Sequence, residues 1–536
     1  MKSRILQDVL HLKQAYIDSI RDSKNIESNF SARLNTLKLN AENILELHDA
    51  LLFILAHPAN QKIKSRTAQE LKKISNWCKR NAKKYEDQFD NSGLPYSSIY
   101  SYFSYELIQW LLENKLTVTL DNYPEDADTL NDAMWLTLPA YERDIVVQEL
   151  NNAQLLSSLK INPAHQLNFL LGQFSKLDHQ TALRDLLFER QKFVIKWALD
   201  LKNSRTYNKI NFEKTYFQKN WIKKIETETW IKIPLPAERK LSVSEKQEIL
   251  KSSRIKLALL QRETEPVSYM DMRSIRYFSL ERGTAIALFT MKTEKQLYPE
   301  SYIGYTLYKN GYPAAYGGAW IFGKHALIGV NIFEWFRGGE SAFFFNQLLR
   351  VYHQVFDISH FEVEPYQYGK DNPEGIESGA FWFYYRMGFR PVQRHLYRLA
   401  EREADKIKAD RAYRTKPQTL KQFTQCNVRL SLRKEKVISG NNFKTRITTM
   451  IHIDFGGDRR KAEIECVNWL QAIMDENILG KIKHPTVLTE MALMCRAVHF
   501  PVKENIELIK NMISHKTKDL YQYQQNMIEW LSKIEK

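Results

Sequence analysis

The 536-residue sequence predicts an α+β protein: a central mixed sheet flanked by helices, preceded by a large all-helical region and followed by a small helical one. Three observations lead there. Apolar residues recur at helical spacing through the first 232 positions, strand-like runs joined by an Asn-Gly turn fill residues 267–334, and an apolar strand gives way through Arg337-Gly338-Gly339 to a helix beginning near Ser341.

In the first region Leu37, Leu39, Ile44, Leu45, Leu47, Leu51, Leu52 and Ile54 keep helical spacing, as do Leu71, Ile74, Trp77 and Cys78. Pro58, Pro95, Pro124 and Pro163, each among polar neighbours, mark breaks between helices. Self-similarity at a fixed period is absent, so no repeat architecture is indicated. Leu94 to Tyr105 is dense in tyrosine, which suits either packed amphipathic rings or a groove for a substrate or partner. Ile233-Pro-Leu-Pro-Ala237 reads as the hinge closing a helical domain of residues 1–235. The helix expected near 244–263 is then a spacer or the first helix of the next module.

Strands are expected at Thr284–Met291, Tyr302–Tyr308, Tyr312–Phe322 and His325–Glu334, with Lys309-Asn310-Gly311 as a tight hairpin turn. After Glu334 the turn and helix start, with small residues at Ser341 and Ala342, present unpaired backbone N–H groups at the positive end of a helix dipole, where a phosphate can sit. An ordinary strand-to-helix turn using glycine for its backbone freedom has the same residues. A short strand, His360–Glu364, and a long polar loop, Pro365–Ser378, follow.

Ala380 to Phe389, an Ala-x-x-Phe-Tyr-x-x-x-Gly-Phe run, resembles the helix and Gly-Phe turn after the fifth strand of the GNAT superfamily of N-acyltransferases. Arg337 to Ala342 resembles that superfamily's pyrophosphate loop, and the order of elements is similar; the segment also resembles a bacterial family built around such a module. The resemblance implies a GNAT-like acyltransferase domain over 244–395, with acetyl-CoA or another acyl-CoA as co-substrate held by Phe333, Arg337, Gly338, Gly339, Ser341 and Ala342. It implies an amine-bearing acceptor, Tyr384 as the acid that protonates the leaving thiolate, and Glu334 or Glu364 as base, with Glu362 sharing the side-chain parity of Glu364. Each has a plainer reading, a packed aromatic for Tyr384 and solvent-facing strand acids for the others. Two departures stand out. Glu340 occupies the position of the loop's first glycine, where it would repel a pyrophosphate or serve as a first-turn acid, and the long 365–378 loop displaces Asn372 from the family's asparagine position. Two further readings of the resemblance are a non-catalytic GNAT-fold binding or scaffold protein and an aminoacyl-tRNA-dependent transferase, which usually carries two such modules where one is seen here.

Other signatures are missing from the sequence: no phosphate-cradling Gly-x-x-x-x-Gly-Lys-Ser/Thr, no His-Glu-x-x-His, no Gly-x-Ser-x-Gly. Cys78, Cys426, Cys466 and Cys495 stand apart and the histidines are scattered, so buried reduced thiols and no metal are expected. With no uncharged run of spanning length and no signal-peptide pattern, the expectation is a cytoplasmic protein without membrane insertion. Past Pro391 the composition turns basic: residues 394–436 hold thirteen Lys or Arg against five Asp or Glu, half of the chain's net +16. That stretch suits nucleic acid or another acidic macromolecule, or equally a solvated helical face. It opens an expected basic helical domain, 396–536, with helices near 458–478, 485–498 and 503–534.

Overall fold

A computed structural model of the chain describes every residue except 1–3, 23–24, 124–129, 149, 223, 297–298, 436, 475–484 and 535–536. Pro124, Lys436 and the end of the helix expected at 458–478 therefore lie outside the described residues. The chain divides into two units, each assembled from separate stretches: Met1–Asn220, Ser242–Tyr269 and Lys309–Pro313 form one, and Trp221–Leu241, Met270–Tyr308 and Ala314–Lys536 the other.

The first unit begins with helices α1 (Arg4–Asp22), α2 (Ile26–Thr36), α3 (Ile44–Ala56) and α4 (Gln61–Asn81). The apolar spacing explains them: α4 buries Ile63, Thr67, Leu71, Ile74 and Cys78 along one stripe, and the Asn60 side chain caps it by accepting from Ile63 N at 3.0 Å. Next come β1 (Ser98–Ser101), α5 (Tyr105–Glu113), β2 (Thr117–Asn122), α6 (Leu130–Thr137), α7 (Asn152–Ser158), α8 (Gln166–Ser175), α9 (Thr181–Arg190) and β3 (Val194–Ala198). The region expected to be all helical therefore contains a three-stranded antiparallel sheet in the order β1-β3-β2. Its signal was alternation: Phe193, Ile195, Trp197 and Leu199 are buried and Lys192, Ala198 and Asp200 exposed. Five residues of period two are easily hidden among helices. The tyrosine-rich segment supplies β1 and the start of α5, leaving Tyr105 buried and Tyr102 exposed.

The unit is completed by α10 (Val243–Ala258), opened by a Ser242/Glu245 capping box. It lies in the first unit, where Ile255 and Ala258 join the core around Trp197 and the Arg254 guanidinium donates to Ser268 O at 2.5 Å.

The second unit is built on an eight-stranded mixed sheet. Its strands are β4 (Arg276–Ser279), β5 (Thr284–Thr290), β6 (Ser301–Lys309), β7 (Tyr312–Phe322), β8 (His325–Ile332), β9 (His360–Val363), β10 (Arg390–Pro391) and β11 (Val428–Ser431), in the spatial order β10-β11-β9-β8-β7-β6-β5-β4. The β6–β7 turn is as the sequence predicted: Asn310 and Gly311 take φ of 47° and 83°, both positive, as a two-residue hairpin of right-handed twist requires. β8 and β9 run parallel, joined by α11 (Ser341–Phe356). After β9 come α12 (Ala380–Arg386), β10, α13 (Arg394–Ala409), α14 (Pro417–Phe423) and β11. β11 returns to lie between β9 and β10, antiparallel to both.

This return corrects the expected boundary at 396. The change in composition after Pro391 is not a change of domain, because Val428 and Leu430 are buried in the main sheet, alternating along β11 with Arg429 and Ser431. The purely helical part starts with α15 (Gly440–Phe455) and continues through α16 (Arg459–Ile473), α17 (Pro485–Ala497), α18 (Ile506–Lys518) and α19 (Leu520–Ile534). These close over Met491, Cys495, Met512 and Trp530, and their core is continuous with the sheet through Phe322 of β7 against Phe443. All four cysteines are buried and unpaired. Among the described residues no helix is long and apolar enough to cross a membrane.

The sheet and α11 are locked by the turn between β4 and β5. Glu281 takes the Arg350 guanidinium at 2.8 and 2.9 Å and Gln347 Nε2 at 2.8 Å, and the next residue, Arg282, donates to Glu340 Oε1 at 2.9 and 2.6 Å. The Glu340 side chain is 0% exposed and that of Arg282 13%. Removing one partner leaves a buried charge uncompensated, so Arg282→Met is expected to destabilise the second unit by about 3–5 kcal/mol. Adding Glu340→Gln should restore much of that loss; denaturant midpoints that fall further in the double variant would refute the pairing.

Candidate functional site

The site expected from the sequence lies where β8 passes into α11. β8 ends at Ile332, Phe333 follows in extended conformation, Glu334–Phe336 make one 3-10 turn, Arg337 is extended, and Gly338 takes φ 83°. A Cβ placed on Gly338 meets no heavy atom within 4 Å, so this glycine serves the backbone turn and faces open space. The helix then begins at Ser341 with Phe344 N donating to Glu340 O at 2.9 Å. Ser341 and Ala342 precede that first bond, so their N–H groups have no acceptor within the helix. Glu340 settles between its two sequence readings: its carboxylate is turned inward onto Arg282 and makes no side-chain cap, so its charge is neutralised inside the unit.

Arg337 is half-exposed, donates from Nε to Ile332 O at 3.2 Å and forms an ion pair with Glu374. Phe333 is 1% exposed; its ring stacks on Trp335 and Tyr316 and its N–H donates to Ala314 O at 3.1 Å. It is a core residue of this turn, and any ligand contact falls to the loop beyond it. Glu334 and Glu364 are both exposed, at the start of the 3-10 turn and just after β9. Asn372 has a local task, capping the short helix Pro373–Glu377 and donating to Tyr366 O at 3.0 Å.

The parallel pairing of β8 and β9 covers three residue pairs, His325↔His360, Ala326↔Phe361 and Leu327↔Glu362. β8 runs on to Ile332, and there its edge meets a side chain: Val330 N donates to Gln367 Oε1 at 3.4 Å. The same oxygen accepts from Tyr384 Oη at 3.3 Å. Gln367 lies in the 365–378 loop, and no motif pointed to it; a glutamine in a polar loop has no sequence signature. Tyr384 is 3% exposed, edge-on to Phe345 and Phe389, and burial pushes its hydroxyl above the ordinary tyrosine range, which keeps it a proton donor. Tyr384 is the packed aromatic of the plainer reading, and its hydroxyl also reaches the Gln367 side chain.

Glu362, placed with Glu364 by parity, is committed elsewhere. Its carboxylate meets His325 Nε2 at 3.1 Å, Asn427 Nδ2 at 2.7 Å and the Arg429 guanidinium at 3.0 Å. Burial alone would raise its pKa, but the His325 and Asn427 hydrogen bonds and the Arg429 charge outweigh it and hold it at about 2. Among the described residues no group of three or more His, Cys, Asp or Glu is placed to hold a metal ion. Comparison of the chain with protein-family models, with curated proteins and with solved structures finds no match.

A carboxylate depressed in the folded state contributes stability above its unfolded pKa of about 4.3 and loses it as pH falls towards the folded value. Glu362→Gln is therefore expected to lower stability at pH 7 by roughly 1–3 kcal/mol, with the gap from wild type narrowing between pH 5 and pH 2. A gap independent of pH in denaturant titrations would refute this role for the carboxylate.

Proposed function

We propose that the second unit is an N-acyltransferase with a GNAT-like module, moving an acyl group from a coenzyme A thioester to an amine acceptor. The observation that carries the proposal is the β8 edge beyond Leu327, where a parallel strand pair ends, a backbone N–H faces a side-chain amide, and a buried tyrosine hydroxyl reaches the same point. An extended donor arm carrying amides has the hydrogen-bonding character of a strand and suits such an edge. The chain order of an antiparallel meander followed by strand, turn, helix, strand and helix, and the turn at 337–342, support the same reading.

In this mechanism the amides of Gly338 to Ala342 and the Arg337 guanidinium hold the donor's pyrophosphate at the α11 N-terminus. The inward Glu340 carboxylate, paired with Arg282, presents little charge against it. An acceptor amine attacks the thioester carbonyl, the C–S bond breaks, and the Tyr384 hydroxyl gives its proton to the departing thiolate. Glu334 and Glu364, exposed just after β8 and β9, take the amine proton directly or through water. To take the strand edge, the donor must displace the hydrogen bonds of Gln367 with Val330 and Tyr384.

Calorimetric titration with coenzyme A and acetyl-coenzyme A tests the placement. Saturable micromolar binding is expected, weakened at least several-fold by Arg337→Glu, which removes a phosphate partner and adds repulsion. Glu374→Gln, which releases Arg337 from its ion pair, is expected to tighten binding. Tyr384→Phe should lower kcat while leaving donor affinity within about twofold. Unchanged affinity in both loop variants would reject the site, and an unchanged rate would remove Tyr384 from the chemistry.

A further inference from the structure

The basic stretch 394–436 is divided by the structure into two kinds of charge. Arg429 is committed to Glu362, Arg433 pairs with Asp357, Lys406 with Glu403 and Lys408 with Asp405. Those four are internal to the fold or belong to its solvated ion pairs. Arg411, Arg414, Lys416 and Lys421 differ: all are exposed, and among the described residues none has an ion-pair partner. Asp410, the nearest acid in sequence, spends its carboxylate on Ala412 N at 2.8 Å.

These four cations sit on an anchored segment rather than a loose loop. Tyr413 Oη donates to the buried Glu403 carboxylate at 2.7 Å, Trp382 Nε1 donates to Thr415 Oγ1 at 3.1 Å, and Phe423 stacks on Phe381 with ring centres 3.9 Å apart. The Arg414 guanidinium is itself held, donating to Arg411 O at 2.8 Å and Tyr413 O at 2.9 Å. Residues 411–423 are thus fastened from within by one aromatic, one hydroxyl and one indole, while the charges point outward. Holding like charges together without internal acids opposes folding through their mutual repulsion, and the term reverses sign when a polyanion supplies the missing charge.

α13 extends the same character. It buries Leu396, Ala400, Glu403 and Ala404, leaving Arg394, Arg398 and Arg402 exposed at four-residue spacing, about 6 Å of rise apart, with Tyr397 between the first two. Glu401 and Asp405 share that outer side, and Asp405 is already paired with Lys408. Guanidinium forks at regular spacing beside a half-exposed aromatic suit phosphates joined by bases that can stack.

We infer that residues 394–421 form a nucleic-acid-binding surface, with the anchored segment from Arg411 to Lys421 as its centre. Phosphodiester is the polymer chemistry favoured, because nucleic acid carries the densest regular negative charge and the chain as a whole carries +16. This inference stands independently of acyl transfer.

The test uses the full chain with fluorescein-labelled 20-nucleotide oligouridylate, oligothymidylate and a 20-base-pair duplex, followed by anisotropy across a salt series. Binding is expected to at least one of the three, which also separates RNA from DNA and single strands from duplex. Replacing Arg411, Arg414, Lys416 and Lys421 together by Gln should weaken it tenfold or more and reduce the slope of log K against log salt by about 3 for a single strand. A control variant removes four exposed charges from the first unit (Lys72, Lys79, Arg80 and Lys83 to Gln) and should stay within twofold of wild type. Should the loop variant fail to fold, ultraviolet crosslinking of wild type to oligouridylate followed by peptide mapping gives the answer, with crosslinks expected within 394–421. The inference is overturned by absence of binding to all three probes, by equal weakening in the loop and control variants, by polyglutamate competing as well as the oligonucleotide, or by crosslinks confined to other segments.

Discussion

The second unit depends on two consecutive charged residues in one tight turn. Glu281 and Arg282, the latter at φ 60°, stand between β4 and β5 and reach α11 at two levels: Glu281 takes Arg350 and Gln347, and Arg282 takes Glu340 at the helix start. Arg350 is fully buried and also donates to Ile233 O at 2.8 Å and Pro234 O at 2.6 Å, so the chain entering the unit is tied to the same point. Buried ion pairs seldom add much net stability, because desolvation offsets most of the attraction, but they penalise wrong arrangements heavily. Here the arrangement they single out is the one that holds the α11 N-terminus, and hence the Arg337–Ala342 turn, against the sheet.

The same economy of charge runs through the sheet. Glu362 on β9 gathers His325 from β8 and Arg429 and Asn427 from the β11 side, pinning three neighbouring strands where the parallel pair is laddered. Beyond Leu327 the ladder gives way, and the exposed backbone of β8 is met by Gln367 and, through it, Tyr384. A strand edge inside a folded unit must have its polar groups satisfied. Satisfying it with a flexible side chain rather than a neighbouring strand leaves an edge that another amide can take over, and on this the acyl-transfer proposal rests.

Much of the eight-stranded sheet was legible in the sequence because its signals are local. The strands from Thr284 to Ile332, the Asn310-Gly311 turn and the strand-turn-helix at 329–350 follow from strand-like apolar runs, the Asn-Gly turn signal and glycine placement. Where the reading fell short, tertiary pairing supplied what no local pattern could. β3 was masked by its helical surroundings, and β11 by the basic residues on either side, though each shows period-two burial once its neighbours are known. The candidate site was half legible: the resemblance pointed to Tyr384 and the strand-turn-helix pattern to the loop glycines, while Gln367, Arg282 and Glu374 are partners at long sequence distance with no pattern to mark them.

By itself, then, the sequence determined the α+β class, the helix stripes, the hairpin register around Asn310 and the excess of positive charge, since each is set by neighbours within a few residues. Only the tertiary structure decided that α10 belongs with the first unit, that β11 returns to the main sheet, that Glu340 faces Arg282 rather than the loop's outer side, and which basic residues are paired. These are questions of which charge meets which across tens to hundreds of residues. Burial fixes the answer, because a charge taken out of water must find its partner wherever the fold brings one.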